Sequence, residues 1–467
     1  MSSFSVKNKK ISVLGMARSG KALAEALIGL GASVLISEVK SNGEMEAVKN
    51  ELAHLPLEWE TGGHTDRIYK GRDLVVISPG VSIYTPVLIE AKQAGVPVVS
   101  ELEIAFLLAR SPFVAITGTN GKSTTSTMIH QALLNDGRKS YLAGNIGIPL
   151  IGEVGKIEPE AWITAEVSSF QLEAVDKFKP HVAVLTNITS DHIDRHGSFD
   201  AYVMAKANLF RKQDADDFAV LNADNPAVMS IDGLVPSRKL YFSRKKPVQQ
   251  GAYYENGYVK VQFRDFLDRH YLKWEDMPLR GVHNLENTLA LVCVCTALGV
   301  SRKAVIKTLM EFKNLHYRME YVDTINGISF YNDSKGTNPD AVRASLESLN
   351  VPVVIIAGGT DKNLDFYPLA EKIKELTVHA VLIGQSRMKI KEALEKAGSN
   401  SFTVVDDLSL EGFKKAIKVA FNLCPKGGAV LLSPSCASFD MFRNAEHRGE
   451  MFDFYVREMK RENEEKI

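Results

Sequence analysis

Residues 113–129 read FVAITGTNGKSTTSTMI, and this stretch decides the fold of the middle of the chain. The run FVAIT is short, apolar and β-branched, as a buried strand is, and STTSTMIHQALLNDG has the apolar spacing of a helix that ends near Gly137. The segment GTNGKS therefore lies on a turn from strand to helix. There, backbone N–H groups and the helix N-terminus can hold an anion, Lys122 can reach a terminal phosphate and Ser123 can ligate magnesium. The pattern predicts a nucleoside triphosphate site.

The loop departs from the usual phosphate-loop pattern in its spacing. That pattern has a glycine five residues before the Gly-Lys pair, and here this position is Ile116, so that Gly118 and Gly121 stand only three apart. A Gly-Lys-Ser triplet by itself is often just the start of a helix. The strand before it and the helix after it favour phosphate binding.

Length and alternation indicate several α/β domains. A chain of 467 residues exceeds what one hydrophobic core usually supports. Strand-like and helix-like runs alternate in three series that start near the N-terminus, at FVAITG and near ISFYNDS, which favours parallel strands joined by helices. We expect an α/β fold of three domains, 1–102, 103–313 and 314–467: a Rossmann-like domain, a P-loop mononucleotide-binding domain and a second Rossmann-like domain.

Charge and hydropathy exclude several classes of protein. The 56 basic and 56 acidic residues balance, so we expect no broad surface for nucleic acid. No apolar stretch approaches the roughly 20 residues of a membrane span, and the N-terminus has no leader pattern, so we expect a cytoplasmic protein. The four cysteines do not suggest a disulfide framework. Cys293 and Cys295 are interpreted as core residues, with a zinc site as the alternative.

A second glycine turn, in ISVLGMARSGKALAEALIGLGASVLISE, is similar to a dinucleotide fingerprint. Gly15 and Gly20 lie on a strand-to-helix turn, and Glu38 ends the following strand, but Ala17 replaces the middle glycine. Three interpretations stay open: a nicotinamide dinucleotide site, a phosphate-containing ligand at the helix N-terminus, and a tight turn needed only for packing.

Candidate metal ligands follow two other strands. Glu166 ends WITAE, and Asp191, His192 and Asp194 follow HVAVLTN, so both segments can converge on the phosphate loop at the carboxyl edge of the sheet. Ser123, Glu166 and His192 form a sparse ligand set of the kind that magnesium completes with water and phosphate oxygens. Asp194 and His196 are interpreted as groups that stabilise the loop. Lys206, in the helix-like FDAYVMAKANLF, is by its own chemistry a solvated or snorkelling lysine.

Taken together, the sequence resembles the Mur ligase family over nearly its whole length. The resemblance is carried by GMARSG and SPG, then by GTNGKST, GNIG, EVSSFQLE, TNITSDHIDRH, AKANLF and GVHNLENT, and finally by HYRME, NDSKGTNPDA, GGTDKNLDF and LLSPSCASFDMF. EVSSFQLE with SPSCASFD is more specific to the D-glutamate-adding member than the phosphate loop, which every relative shares.

The resemblance implies an ATP-dependent amide ligase that adds D-glutamate to UDP-N-acetylmuramoyl-L-alanine through an acyl phosphate, giving ADP and phosphate, in peptidoglycan precursor synthesis. It implies that the first domain binds the uridine nucleotide, the second ATP, and the third the amino acid while it closes over ATP. The expected cofactors are ATP, two Mg²⁺ ions and a carbamylated lysine, and the expected state is a monomer.

The same resemblance assigns roles to individual residues. Lys122, Lys206 (as its carbamate) and His192 are expected to be catalytic. ATP is expected to contact Gly118, Thr119, Asn120, Gly121, Lys122, Ser123, Thr124, Asn284, Asn287, Arg318, Asp333 and Lys335. The two other substrates are expected to contact Arg18, Ser19, Gly80, Asn145 and His192 on the uridine-nucleotide side, and Thr337, Lys362 and Ser438 on the D-glutamate side. Magnesium is expected at Ser123, Glu166, His192 and the Lys206 carbamate.

Two departures from the family pattern matter. Ala445 stands where some relatives have a phenylalanine near the D-glutamate carboxylate, and Val39 and Lys40 follow Glu38 where relatives have other polar residues near the uracil. The alternative functions are another amino-acid-adding Mur ligase, a folylpolyglutamate synthetase, a slowly hydrolysing nucleotide-binding regulator and a nicotinamide-dependent oxidoreductase. Folylpolyglutamate synthetase lacks a domain like residues 1–102, and Ala17 together with the second nucleotide loop counts against the oxidoreductase.

Overall fold

A computed structural model describes residues 4–145, 149–264, 266–279, 281–361 and 364–464. The chain divides into two compact units, one of Met1–Met277 with Glu286–Glu311 and one of Pro278–Leu285 with Phe312–Ile467. The first unit contains two sheets and the second unit contains one. Three α/β sheets match the expected fold class, and the exact domain boundaries stay a prediction.

The N-terminal sheet has five parallel strands in the order β3-β2-β1-β4-β5. Its strands are β1 (Lys10–Leu14), β2 (Ser33–Glu38), β3 (Leu57–Thr61), β4 (Leu74–Ile77) and β5 (Val98–Ser100). Its helices are α1 (Arg18–Gly29), α2 (Asn42–Glu51), α3 (Pro86–Gln93) and α4 (Glu101–Leu108). The runs in β1 and β2 are almost wholly buried, as expected for parallel strands covered on both faces.

The second sheet has nine strands in the order β14-β13-β12-β11-β10-β9-β6-β8-β7. The strands are β6 (Phe113–Thr117), β7 (Ser140–Gly144), β8 (Trp162–Glu166), β9 (Val182–Leu185), β10 (Phe218–Asn222), β11 (Arg238–Ser243), β12 (Gly251–Glu255), β13 (Tyr258–Phe263) and β14 (Phe266–Lys273). All pairings among strands β6 to β12 are parallel, whereas the pairings of β12 with β13 and of β13 with β14 are antiparallel. The alternating burial of β13 fits a strand with one solvated face.

The helices around this sheet include several single turns. They are α5 (Lys122–Asn135), α6 (Leu150–Glu153), α7 (Ser169–Leu172), α8 (Ile193–His196), α9 (Phe199–Ala207), α10 (Pro226–Met229), α11 (Val282–Leu298) and α12 (Arg302–Glu311). Cys293 and Cys295 are buried in α11, as the core interpretation predicts. Burial raises the pKa of the Cys293 thiol to about 12.

The sheet of the second unit has six strands in the order β15-β16-β20-β17-β18-β19. The strands are β15 (Glu320–Ile325), β16 (Ile328–Asn332), β17 (Val353–Gly358), β18 (His379–Ile383), β19 (Phe402–Val404) and β20 (Ala429–Leu432). The helices are α13 (Pro339–Glu347), α14 (Tyr367–Leu376), α15 (Arg387–Lys396), α16 (Leu410–Leu423) and α17 (Ala445–Glu464). Only the pairing of β15 with β16 is antiparallel, so the carboxyl ends of the other strands share one edge.

Within the described ranges, we find no helix that combines the length and the apolar composition needed to cross a bilayer.

The two sheets of the first unit share one core, and α4 joins them. In α4, Glu103 accepts hydrogen bonds from the backbone N–H groups of Asp176, Lys177 and Phe178 at 3.0, 2.7 and 3.0 Å. Glu101, two residues earlier, accepts one bond from Gln171 Nε2 at 2.8 Å, and its other buried oxygen has no hydrogen-bond partner among the described residues. Burial raises the pKa of the Glu101 carboxyl to about 7.

The Glu101→Gln substitution is expected to stabilise the protein in alkaline solution. The folded pKa of Glu101, about 7, lies above the ordinary value of 4.5. The stability that the neutral Glu101 carboxyl contributes is therefore fully present below pH 4.5 and falls as the pH rises towards 7. The loss over that interval approaches about 3 kcal/mol. Chemical denaturation should therefore find Glu101→Gln more stable than wild type near pH 8 and no more stable near pH 5.

Glu103→Gln is the matched control on the same helix. An amide cannot accept all three backbone bonds, so this variant should be less stable than wild type at both pH values. An equal effect of Glu101→Gln at the two pH values would show that the Glu101 carboxyl does not titrate in this range.

Candidate active site

The phosphate loop lies at the carboxyl end of β6, directly before α5. Gly118 has a φ of 149°, and a Cβ atom there would stand 1.9 Å from Thr186 Oγ1. A glycine is therefore required by the approach of the neighbouring β9 segment as well as by the backbone conformation. The predicted strand-loop-helix context of GTNGKS is present.

The segment after β9 fixes the shape of this loop. Thr119 N and Asn120 N donate to Asn187 O and Asn187 Oδ1 at 2.8 and 2.9 Å, and Thr186 Oγ1 donates to Asn120 O at 2.6 Å. Thr119 Oγ1 also accepts a hydrogen bond from Thr189 N at 3.0 Å. These hydrogen bonds restrain the loop, which lowers the entropic cost of binding an anion.

Two lysine side chains meet at one carbonyl of the loop. Lys122 Nζ donates to Gly118 O and Thr119 O at 3.0 and 2.8 Å, and Lys206 Nζ donates to Gly118 O at 2.9 Å. The expectation from residue chemistry that Lys206 is solvated is wrong, because its relative exposure is 1%. The register of α9 against the loop places this lysine inside, as the family resemblance implied but the local sequence did not.

The surroundings of Lys206 disfavour an ammonium ion. Burial, followed by the nearby positive charge of Lys122, holds the pKa of Lys206 well below its ordinary value, whereas Asp191 and Glu166 act in the opposite direction. Nζ also lies 4.6 Å from the centre of the Tyr202 ring, one helical turn earlier in α9. An uncharged amine is more nucleophilic than an ammonium, so burial favours reaction at Lys206 Nζ.

Glu166 stands beside the loop, as predicted. Strand β8 pairs with β6 in parallel, with Glu166 opposite Ile116, so the carboxylate lies at the same sheet edge as GTNGKS. Glu166 is buried, and its Oε1 accepts a hydrogen bond from Asn145 Nδ2 at 3.0 Å. Its Oε2 is buried without a hydrogen-bond partner among the described residues. An unsatisfied buried carboxylate oxygen needs a ligand, and a cation is the simplest one.

His192 and Asp191 follow β9 on the same side. His192 has a φ of 54° at the start of α8, and its ring centre lies 4.8 Å from that of Phe170 in an edge-to-face contact. Its backbone N–H donates to Asp191 Oδ1 at 2.9 Å. Asp194 is exposed, whereas His196 is buried between Glu173 and Ser169, which supports the loop-stabilising interpretation of His196.

These groups suit magnesium better than a transition metal. Across the described segments, no three histidine, cysteine, aspartate or glutamate side chains group closely enough to hold a metal ion. The unsatisfied Glu166 oxygen and the Ser123 hydroxyl are hard oxygen donors, and Mg²⁺ typically uses one or two carboxylates together with water and substrate phosphates. The residues therefore fit an ion that is completed by the substrate.

The remaining predicted residues of the first unit lie on both of its sheets. Asn287 Oδ1 accepts a hydrogen bond from Thr125 in α5 at 3.1 Å, beside the phosphate loop. Arg18 and Ser19 begin α1, and Gly20 has no space for a side chain, since a Cβ atom would stand 2.0 Å from Gly15 O. Glu38 Oε2 accepts from Met16 N at 2.8 Å, so this carboxylate braces the glycine turn.

The second unit carries a cluster of its own. Asp333, at the end of β16, accepts hydrogen bonds from Ser433 Oγ and Ser345 Oγ at 2.6 and 2.7 Å, and burial raises its pKa to about 6 despite those bonds and nearby Arg318. Lys335 Nζ lies 3.2 Å from Glu446 Oε1 in a half-exposed ion pair. Asn284, also in this unit, is buried.

The loops predicted to bind D-glutamate are clamped together in this unit. Ser435 N donates to Gly336 O at 2.8 Å, which joins the Thr337 loop to the Ser438 loop. Arg448, whose relative exposure is 1%, donates to Ser334 O at 2.8 Å and to Cys436 O at 3.1 Å. Ala445 begins α17, and its carbonyl oxygen accepts a hydrogen bond from Ser334 Oγ. This contact does not depend on the side chain at position 445. Lys362 lies outside the described residues.

Sequence reasoning missed several residues that build this site. Tyr202 supports Lys206 and hydrogen-bonds Thr119 Oγ1 at 3.2 Å, and its position four residues before Lys206 on one helix was a usable signal. Asn187 and Arg195 act through partners remote in sequence, so no local pattern identifies them.

Models of three domains match the chain consecutively. The Mur ligase MurD-like N-terminal domain matches residues 9–100, the Mur ligase middle domain residues 116–295, and the Mur ligase glutamate ligase domain residues 317–436.

Curated proteins match over almost the full length. The chain is 39% identical over 456 residues to the UDP-N-acetylmuramoylalanine–D-glutamate ligase of Caldanaerobacter subterraneus, with 98% of this chain and 100% of the relative covered. It is 40% identical over 456 residues to the enzyme of the same name from Pelotomaculum thermopropionicum, with 97% and 98% covered.

Solved structures share the fold. The UDP-N-acetylmuramate-alanine ligase MurC of Thermotoga maritima has a TM-score of 0.60 at 20% identity, with 97% of this chain and 100% of that chain covered. A pseudomurein peptide ligase type C from Methanothermus fervidus has a TM-score of 0.61 at 18% identity, with 96% and 100% covered.

Proposed function

We propose that this chain, which belongs to the Mur ligase family, adds D-glutamate to UDP-N-acetylmuramoyl-L-alanine with cleavage of ATP to ADP and phosphate. The full-length similarity to curated ligases of that name supports the choice of substrates. The observation that carries the chemistry is the phosphate loop bordered by buried Lys206 and by the unsatisfied oxygen of Glu166. The boundaries 1–102, 103–313 and 314–467 are the domain division that we propose.

ATP is proposed to bind at GTNGKST in the first unit, with Lys122 on its terminal phosphates. Loop N–H groups and the start of α5 supply partial positive charge there, and Asn287 borders the same helix. Asn284, Arg318, Asp333 and Lys335 are the ATP contacts proposed in the second unit.

Magnesium is proposed to be held by Ser123, Glu166, His192 and a carbamate on Lys206. The carbamate forms when the Nζ lone pair attacks the carbon of carbon dioxide and an Nζ proton passes to water. This reaction replaces a buried neutral amine by an anion beside Glu166 and would supply negative charge for two ions. When bound, the metal would polarise the phosphoryl oxygens and neutralise charge on them.

The uridine-nucleotide substrate is proposed to contact Arg18, Ser19, Gly80, Asn145 and His192. D-glutamate is proposed to contact Thr337, Lys362 and Ser438. Arg448 supports the proposed D-glutamate contacts, because its hydrogen bonds to Ser334 O and Cys436 O join the loops that carry Thr337 and Ser438.

The reaction overcomes the poor leaving group of a carboxylate. An oxygen of the alanyl carboxylate attacks the γ-phosphorus of ATP, and the bond to ADP breaks, which gives an acyl phosphate. Lys122 and the loop amides neutralise charge on the transferring group. The D-glutamate nitrogen then attacks the acyl carbon, loses a proton to solvent or base, and phosphate leaves to form the amide. Orientation of three substrates supplies much of the rate.

Phosphate release from ATP tests the assignment of substrates. The complete mixture of ATP, Mg²⁺, UDP-N-acetylmuramoyl-L-alanine and D-glutamate should give rapid release, and omission of either acceptor should stop it. L-glutamate, L-alanine and diaminopimelate should not replace D-glutamate. Turnover with one of these instead would assign the chain to another amino-acid-adding reaction, and release that needs no acceptor would indicate a nucleotide hydrolase.

A further inference from the structure

We propose that Arg195, held in place by Glu173, is a positioning residue that sets the affinity for the uridine-nucleotide substrate. It does so by fixing the Gly80–Val81 loop against the segment that carries His192. This inference rests on the proposed function, in which Gly80 and His192 contact that substrate.

Arg195 links the two sheets of the first unit. It lies in α8, on the segment that follows β9, and its Nη2 and Nη1 donate to Val81 O and Gly80 O of the N-terminal sheet at 2.6 and 3.3 Å. In the same loop Ser78 Oγ donates to Gly15 O at 2.8 Å. One guanidinium therefore connects the nine-stranded sheet, through a single loop, to the glycine turn before α1.

Glu173 holds this guanidinium from the other side. Its Oε2 lies 2.8 Å from Arg195 Nη2, and the two side chains are 3% and 13% exposed. The His196 ring lies beside the carboxylate, with its Nδ1 3.1 Å from Glu173 Oε1 and its Nε2 3.1 Å from Ser169 Oγ. A buried pair of this kind costs much when one partner is neutralised, since the other charge is left uncompensated.

The same guanidinium also supports His192. Its central carbon lies 4.9 Å from the centre of the Phe170 ring, and that ring contacts the His192 imidazole edge-to-face at 4.8 Å. His192 has a left-handed backbone conformation, with a φ of 54°. Residues other than glycine adopt this conformation at a cost that their surroundings must offset. Arg195 thus touches both segments proposed to hold the uridine nucleotide, without itself being one of the proposed contacts.

Arg195→Lys and Glu173→Gln test this role by steady-state kinetics. The lysine of Arg195→Lys keeps the charge but cannot donate to both carbonyls through a planar guanidinium. The glutamine of Glu173→Gln keeps the shape but loses the charge. We expect the KM for UDP-N-acetylmuramoyl-L-alanine to rise at least about tenfold in both variants, while the KM values for ATP and D-glutamate change less than about twofold. Glu173→Asp, which keeps the charge, should recover part of the affinity.

Arg211→Lys is the matched control. Arg211 also donates to a main-chain carbonyl, that of Val175, but its side chain is half-exposed. Both residues belong to the segments around the nine-stranded sheet. All three KM values should stay at wild-type level in this variant. A lower melting temperature of Arg195→Lys with an unchanged KM for the uridine nucleotide would reduce Arg195 to a structural role, and an equal rise of all three KM values would overturn the proposal as well.

Failure of the proposed function would look different. In that case wild-type protein itself would not turn over UDP-N-acetylmuramoyl-L-alanine with D-glutamate. If wild type is active and the variants fold with wild-type KM values, the positioning role of Arg195 fails alone.

Discussion

Lys206→Ala is expected to lower kcat by about a hundredfold or more, and short carboxylic acids are expected to restore part of the lost activity. The proposed carbamate contributes two anionic oxygens beside Glu166, where the unsatisfied Oε2 already indicates a cation. Removal of the side chain would leave a space next to Gly118 O that formate or acetate can enter with the same charge. Kinetics with increasing acetate and formate, at constant ionic strength, measure the rescue.

A matched control and a mass measurement separate the carbamate from a free amine. Lys212→Ala, an exposed lysine shortly after α9, should remain at wild-type activity with or without acetate. Mass spectrometry of wild-type protein under carbamate-preserving conditions should show the added carbon dioxide at Lys206. Rescue of Lys206→Ala by alkylamines but not by acids, with an unmodified lysine mass in active wild type, would refute the carbamate.

Lys122→Ala is expected to abolish ligation, with kcat lowered by about a hundredfold or more, while the fold is kept. Lys122 is at the start of α5 and only half-buried, and it donates hydrogen bonds to two carbonyls of its own loop. Its charge therefore lies at the phosphate loop rather than in the core. The free energy of unfolding should change by about 1 kcal/mol or less.

Thermal unfolding with and without ATP checks both halves of this expectation. Without ATP, wild type and Lys122→Ala should melt at nearly the same temperature, and only wild type should gain much stability on ATP addition. Lys139→Ala, which breaks an exposed ion pair with Glu158 in the same domain, should keep wild-type activity. Near-normal turnover by folded Lys122→Ala would remove this lysine from the mechanism.

The sequence alone predicts well where the strands end and which polar residues follow them, because strand ends are local features. FVAIT, WITAE and HVAVLTN each end where polar residues begin, and the strands of these segments are neighbours in one parallel sheet. The placement of Ser123, Glu166 and His192 at one edge follows from this rule. The strand-loop-helix context of GTNGKS was predictable for the same reason.

Residues whose environment comes from distant segments were not predictable. The burial of Lys206 depends on how α9 packs on the phosphate loop, a contact between residues 88 apart, and helical spacing gives no sign of it. The Glu173 and Arg195 pair reaches across to Val81, 114 residues away. The left-handed backbone of His192 is likewise imposed by packing and not by residue type.

Transfer of an oxygen atom to phosphate shows whether this chain activates the alanyl carboxylate and joins it to D-glutamate. UDP-N-acetylmuramoyl-L-alanine labelled with heavy oxygen in that carboxylate is incubated with ATP, Mg²⁺ and D-glutamate, and phosphate and product are analysed by mass spectrometry. We predict one labelled oxygen in each phosphate released, formation of ADP, and a product heavier by one glutamyl residue. Unlabelled phosphate would exclude an acyl phosphate, and labelled phosphate without amide formation would exclude D-glutamate as the acceptor.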